Sequence, residues 1–388
     1  MAASGRCRRP GDDTLAAVTS YPQLRLSLPR LDSNIGVMAQ WCAAAQVQLW
    51  PHIKTTMCRP VVGRQLAAGA QAVTVATPAQ AAIAATWGCP KILIANEVVN
   101  PDALGRVCGL GTDSEVMILI DSAAGIAAAE AAARAVGIVL DVLVDVGRRG
   151  GRTGVRDEGA AVALAHRVRS SRGLRLVGVS AYEGVVPAQR DEKTLALVDE
   201  HCRLAVAVFV ELVTYFETGG PIFTAGGSAF PDRVVAAAAP VRAVPGAVVA
   251  LRSGCSAVHD HGMYARVSPI AGLAPAVTVR GEVISAPESG LVVVGAGKRD
   301  VPHDAGLPTV VGAWDARGTG RRECRGVVEA LYDHHMVLRL TGSPLAVGDL
   351  VDFGISHPCG AFDRWPIITV VDGDGRIVAD WATQFVRN

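Results

Sequence analysis

A lysine stands in Trp50-Pro51-His52-Ile53-Lys54-Thr55-Thr56-Met57 just where the β-forming run Val47-Gln48-Leu49-Trp50 gives out. An apolar strand end is an odd setting for an ε-amine. With His52, Thr55 and Thr56 around it, Lys54 could be aimed at a carbonyl carbon, and it could equally be a solvated strand-end side chain. Two glycine turns, Ala225-Gly226-Gly227-Ser228 and Arg252-Ser253-Gly254-Cys255, would let backbone amides approach an anion closely, although each could serve simply as a tight turn. A lysine and a phosphate cradle together are what pyridoxal 5'-phosphate requires, since its aldehyde condenses with an amine while its phosphate is tied down elsewhere. A second grouping lies far along the chain, where Ser356-His357-Pro358-Cys359 sets an imidazole and a thiol two residues apart. On an extended backbone both would face one side and could meet one cation, but spacing alone leaves open whether a metal binds.

The elements that must position these groups follow from hydrophobic periodicity. Eight short β-branched runs, at residues 47–52, 72–76, 91–95, 116–120, 141–145, 176–181, 221–224 and 248–251, alternate with alanine-rich helical stretches at 60–68, 78–87, 101–110, 122–136, 157–172, 188–216 and 231–244. Several of the helices open with proline or follow Thr, Asp or Ser. This alternation predicts an α/β chain built as a (β/α)8 TIM barrel, preceded by a helix at 31–45. In such a barrel the site lies at the C-terminal ends of the strands, which here are Lys54, Thr77, Asn96, Asp121, the loop 147–154, Tyr182 with Glu183, and the two glycine turns. After Tyr264 the pattern changes to alternating stretches at 276–284, 291–294, 326–332, 337–340, 350–353 and 367–371, separated by Gly, Asp and Pro turns. The expected organisation is a disordered tail over 1–20, a barrel over 21–265, and an all-β domain over 266–388 that carries the His-Cys pair. The strand-like segment 23–28 belongs either to the barrel or, across the chain, to the β domain.

Composition narrows the function classes. Half the residues are hydrophobic, 19% are charged, and the formal net charge is +1, so neither nucleic acid nor an anionic membrane is an expected partner. The nine cysteines are scattered without Cys-x-x-Cys spacing, which fits reduced thiols. The first residues lack the apolar core of a signal peptide, and no run of about eighteen residues is apolar throughout. A cytoplasmic protein acting on a small molecule is expected. Gly295-Ala296-Gly297-Lys298-Arg299 lacks the P-loop pattern, and the loop 147–154 lacks the dinucleotide-binding glycine spacing.

Taken in order, Pro51-His52-Ile53-Lys54-Thr55-Thr56-Met57, Val75-Ala76-Thr77, Gly150-Gly151-Arg152-Thr153-Gly154, Tyr182-Glu183-Gly184, Ala225-Gly226-Gly227-Ser228, Arg252-Ser253-Gly254-Cys255, His259-Asp260-His261-Gly262, Gly297-Lys298-Arg299-Asp300 and Ser356-His357-Pro358-Cys359 resemble one family. It is the D-threonine aldolase and D-serine dehydratase-like group of fold-type III (alanine racemase-like) pyridoxal-phosphate enzymes, and Lys-Thr-Thr-Met is most similar to its bacterial amino-acid deaminase branch. The resemblance runs from about residue 20 to the C-terminus. It implies that Lys54 is the Schiff-base lysine, that Gly226, Gly227, Ser228, Gly254 and Cys255 surround the phosphate, and that Arg152 and Tyr182 contact the cofactor ring. It implies zinc, or another divalent metal, on His357 and Cys359, where aldolase members carry aspartate in place of the cysteine. His52, Thr55, His259, Asp260 and His335 are further candidates. A homodimer is implied, and so is a dehydratase of β-hydroxy-D-amino acids that releases a 2-oxo acid and ammonia. The rival is retro-aldol cleavage to glycine and an aldehyde; a racemase or a non-catalytic cofactor carrier is a weaker fit. Ser256 stands where deaminase relatives often carry tyrosine, and Gly360-Ala361 replaces a threonine pair, so the departures fall near the expected pocket.

Overall fold

The computed structural model describes residues 20–111 and 114–386; the expected N-terminal tail lies, but for Ser20, outside the described residues. Local chemistry sets most of the helix starts. Thr77, Asn100, Ser122, Asp157 and Asp191 each accept from the backbone amide three residues on, and Pro78 and Pro101 occupy first-turn positions where no donor is needed. Between these helices run short strands buried on both faces, as a parallel sheet covered by helices demands. They are β2 (Gln48–Leu49), β3 (Val73–Val75), β4 (Lys91–Glu97), β5 (Glu115–Ile120), β6 (Leu140–Val146), β7 (Leu174–Ala181), β8 (Ile222–Ala225) and β9 (Val248–Leu251), which follow β1 (Gln23–Ser27).

All eight strands from β2 to β9 pair in parallel, in the order β2-β9-β8-β7-β6-β5-β4-β3. The end strands meet as well. His52 bridges Thr74, the Thr74 amide donates to the Pro51 carbonyl (2.9 Å), and the Thr74 hydroxyl donates to the Trp50 carbonyl (2.7 Å). The sheet is thus curled back on itself. Alternate residues divide between two cores: Trp50, Leu93, Met117, Leu143 and Val177 form one cluster, while Ile92, Ile94, Ile118 and Val142 pack toward the helices.

The remaining strands are antiparallel neighbours in a separate sheet: β10 (Val277–Glu288), β11 (Leu291–Val294), β12 (Thr309–Trp314), β13 (Arg321–Arg322), β14 (Gly326–Leu331), β15 (Met336–Leu340), β16 (Leu350–Gly354), β17 (Ile367–Val371) and β18 (Ile377–Ala382). β1 sits among them, antiparallel to β10 and parallel to β17. The chain therefore begins in one sheet, crosses through α1 (Leu28–Ala44) into the other, and returns after β9. Asn34 on α1 ties the junction by donating to the Ala257 and Ala274 carbonyls (3.0 and 2.7 Å).

Two helical expectations differ from the structure. The stretch 231–244 is two short helices, Pro231–Ala237 and Ala239–Arg242, because Pro240 has no amide to continue the first. The long stretch 188–216 is helical only over Glu192–Glu211 before a single 3₁₀ turn, Val213–Tyr215.

That long helix buries His201, 4% exposed, with neither ring nitrogen hydrogen-bonded among the described residues. Burial, reinforced by Arg148 and Arg156, pulls its pKa down to about 4. The folded chain keeps His201 neutral, so the stability present above pH 6.5 is lost as pH falls toward 4, by about 3 kcal/mol in all. His201→Leu should accordingly move acid unfolding, followed by circular dichroism, to lower pH; an unchanged midpoint would contradict this.

Candidate active site

Lys54 reaches its position because the chain cannot continue as strand. After the bridge at His52 it closes a 3₁₀ turn, Ile53–Thr55, and leaves it through Met57 at a left-handed φ of 37°. Lys54, half-buried, faces a cavity of about 410 Å³ at the C-terminal ends of the parallel strands. Among the described residues it has no carboxylate partner. Beside it His52 has a buried Nδ1 with no partner among the described residues, and burial, Lys54 and Arg252 hold this imidazole well below its ordinary pKa, hence neutral.

The two glycine turns border the same cavity. Gly226 adopts a φ of 91°, and a Cβ at Gly254 would lie 2.1 Å from the His52 carbonyl oxygen, so the turn after β9 packs against the lysine segment only as glycine. The amides of Gly226 and Gly227 donate to Glu183 (3.0 and 2.7 Å), a fully buried carboxylate that burial drives upward in pKa. Glu183 thereby fixes the turn. The amides of Ser228 and Gly254 have no protein acceptor among the described residues, and the Ser228 hydroxyl accepts from the Cys255 amide (3.1 Å), which leaves its own proton for an anion. An unpaired amine, a neutral buried imidazole and free backbone donors fit a phosphorylated aldehyde such as pyridoxal 5'-phosphate.

Arg152 and Tyr182 meet as an arginine over a tyrosine ring, 5.0 Å from its centroid. Arg152 forms no ion pair with Asp145, whose Oδ2 instead accepts from Thr153 (3.0 Å). The Gly154 amide donates to Asp121 (3.0 Å), so the loop that carries Arg152 is pinned from two strands. Nearby, burial and then Asp145 and Asp121 push the Glu97 carboxyl up to about 7. Burial and Glu183 push the Tyr182 phenol up to about 12, which keeps it neutral.

The other sheet supplies the second pole. His357 and Cys359 border the Lys54 cavity, although not by strand alternation as their spacing suggests. His357 is left-handed (φ 65°) and starts the 3₁₀ turn Pro358–Gly360, so the turn, not an extended pleat, brings imidazole and thiol together. Asp260, wholly buried, holds this strained residue by accepting the His357 amide (2.8 Å), together with the amides of Gly262 and Tyr264. Next to it, His259 is buried and its Nδ1 contacts the Asp260 carbonyl, so it supports the fold of this loop and does not border the cavity. Thr55 touches both poles: its hydroxyl lies 3.3 Å from Cys359 Sγ and 3.5 Å from Cys255 Sγ. The two sulfurs are 3.2 Å apart. Cys255's thiol holds Cys359 well below the ordinary thiol range, and the thiolate in turn drives Cys255 well above it.

Asp304 and Tyr264 are the site residues that sequence reasoning missed. Asp304 Oδ2 lies 2.5 Å from His357 Nδ1, which leaves Nε2 for a metal. It comes from a loop 53 residues away, and no spacing links the two. Tyr264 borders the cavity beside Cys255. His335, exposed in the turn between β14 and β15, does not border the Lys54 cavity. Among the described residues no three His, Cys, Asp or Glu side chains already converge on one metal position. His357 and Cys359, a nitrogen and a thiolate, fit a borderline-soft ion such as zinc with coordination positions left over. If Asp304 orients that imidazole, Asp304→Ala should weaken zinc binding roughly 10- to 100-fold in chelator competition, with Asp304→Asn in between. Equal affinities would remove Asp304 from the site.

Comparison with known proteins agrees in order along the chain. The family model described as alanine racemase, N-terminal domain, matches residues 26–239, and that of a putative serine dehydratase domain matches 276–371. The D-threonine aldolase of Arthrobacter sp is 29% identical over 322 residues, 82% of each chain. The D-threo-3-hydroxyaspartate dehydratase of Delftia sp. (strain HT23) is 30% identical over 174 residues, 44% of this chain and 45% of that one. The solved structure of D-threonine aldolase from Filomicrobium marinum superposes with a TM-score of 0.80 at 25% identity, over 94% of both chains. The chain belongs to the alanine racemase N-terminal domain family, within the D-threonine aldolase and D-serine dehydratase-like group of fold-type III pyridoxal-phosphate enzymes.

Proposed function

We propose that the chain is a pyridoxal-phosphate- and zinc-dependent dehydratase of β-hydroxy-D-amino acids of the D-serine or D-threonine type, giving a 2-oxo acid and ammonia. In this reading a closed (β/α)8 barrel over 21–265 holds the cofactor, the β domain over 266–388 brings the metal, and the enzyme works as a cytoplasmic homodimer. The observation that carries it is the cysteine at 359, which borders the Lys54 cavity beside His357. A thiolate there selects zinc over the harder divalent ions that a carboxylate would favour.

When bound, the cofactor supplies the electron sink that acidifies Cα, and zinc supplies the Lewis acidity that makes a β-hydroxyl a tolerable leaving group. Lys54 holds the cofactor at rest and, once its amine is free, takes the Cα proton. Ser228 and Gly254 hold the phosphate with their backbone amides and the Ser228 hydroxyl, beside the Cys255 turn, while Gly226 and Gly227 allow the close approach. Arg152 presents a fixed positive charge to the ring, and neutral Tyr182 donates a hydrogen bond without adding charge. His357 and Cys359 hold the zinc, Asp304 orients the imidazole, and Thr55 spans the two poles. His52 stays neutral beside Lys54, so it adds no positive charge next to the lysine.

A second reading, metal-dependent retro-aldol cleavage to glycine and an aldehyde, is favoured by the Arthrobacter aldolase, which matches over most of the chain. The test is a product assay over a panel of D- and L-β-hydroxy-amino acids with both cofactors supplied. Pyruvate and ammonia from D-serine support dehydration; aldehyde and glycine across the panel support the aldolase, and no product from any member refutes both.

A further inference from the structure

Catalytic zinc is ordinarily held by three protein ligands with a fourth position open, and His357 with Cys359 provides only two. Cys255 Sγ lies 3.2 Å from Cys359 Sγ. It belongs to the 3₁₀ turn Cys255–Ala257, whose backbone is fixed by the Ser228 hydroxyl on the Cys255 amide (3.1 Å), the Ser256 hydroxyl on the Ser253 carbonyl (3.1 Å), and Asn34 on the Ala257 carbonyl (3.0 Å). The sulfur of Cys255 is therefore delivered by a rigid segment of the parallel-sheet half, and that of Cys359 by the antiparallel half.

From this juxtaposition we infer that Cys255 is the third protein ligand of the zinc, making a Cys₂His site with one position left for water or a substrate hydroxyl. The inference rests on the proposed metal role of His357 and Cys359. Two sulfurs bound at about 2.3 Å to one tetrahedral zinc stand roughly 3.8 Å apart. The pair thus has to open by only about half an ångström, within the reach of a χ1 adjustment. Zinc displaces thiol protons when it binds, so a shared thiol hydrogen bond is replaced by two metal–sulfur bonds. Cys255 directly follows Gly254 in the anion cradle. Metal loading would then fix the turn that also receives the phosphate, so the two poles would be coupled through one short segment.

The test is X-ray absorption at the zinc edge on the full chain carrying pyridoxal phosphate and one equivalent of zinc. Two sulfur scatterers near about 2.3 Å are expected, falling to one in Cys255→Ser. Zinc affinity of that variant, by competition with a chromophoric chelator, should drop by more than the roughly tenfold that loss of an outer-shell partner costs. One sulfur in the unmodified chain overturns the inference and leaves the His357–Cys359 metal role standing. Failure to retain stoichiometric zinc overturns the metal role itself. A chain mass lower by two hydrogens in the zinc-treated protein, the mark of a Cys255–Cys359 disulfide, also overturns the inference. Because the decisive sulfur count is made on the unmodified chain, a poorly folding variant does not blunt the test.

Discussion

Lys54→Ala is expected to lower turnover of any β-hydroxy-amino acid substrate by roughly a thousandfold or more, the scale set by losing the acid–base group. The same variant gives a second signature. Borohydride reduction adds the mass of pyridoxal phosphate to the wild-type peptide that carries Lys54, and no such addition occurs at residue 54 in the variant. The structural ground is an amine with no carboxylate partner among the described residues, beside a neutral His52, at the mouth of the parallel sheet. Were cofactor trapped on a different lysine, Lys54 would lose its role whatever the activity showed.

His357→Ala and Cys359→Ala are each expected to abolish stoichiometric zinc binding and to lower ammonia release about 10²- to 10⁴-fold, as the loss of several kcal/mol of Lewis-acid stabilisation requires. Cofactor trapping on Lys54 should survive both changes, because the residues proposed to hold the cofactor lie on the other sheet. Metal content by atomic spectroscopy and ammonia release measured on one preparation check the two parts together. Retained turnover in a zinc-free variant would sink the metal role and leave the cofactor role untouched.

What could be read from the chain alone was what local chemistry decides. A lysine at a strand end, glycines at turns, proline and capping residues at helix starts, and β-branched runs of strand length all act within a few residues of themselves, and they located the parallel strands and the mouth they share. The pair His357 and Cys359 was visible by composition, but its geometry was not, because a left-handed His357 and a 3₁₀ turn replace the expected pleat. That conformation depends on Asp260, nearly a hundred residues earlier, accepting the His357 amide. Asp304 was illegible for the same reason, as was Glu183's hold on the amides of Gly226 and Gly227. The placement of β1 between β10 and β17 depends on partners about 250 and 340 residues away, which no local propensity encodes. His335, a candidate by resemblance to the family, stands exposed on the turn between β14 and β15 and does not border the Lys54 cavity.

The proposed reaction and its rival differ in which bond next to Cα is broken, and D-threonine separates the possibilities because each yields a different molecule. Incubated with the protein, pyridoxal phosphate and zinc, D-threonine should give 2-oxobutyrate and ammonia in equal amounts, and prior treatment with a chelator should suppress both until zinc is restored. Acetaldehyde and glycine as the products, or 2-oxobutyrate formed just as fast after chelation, would contradict the proposed reaction.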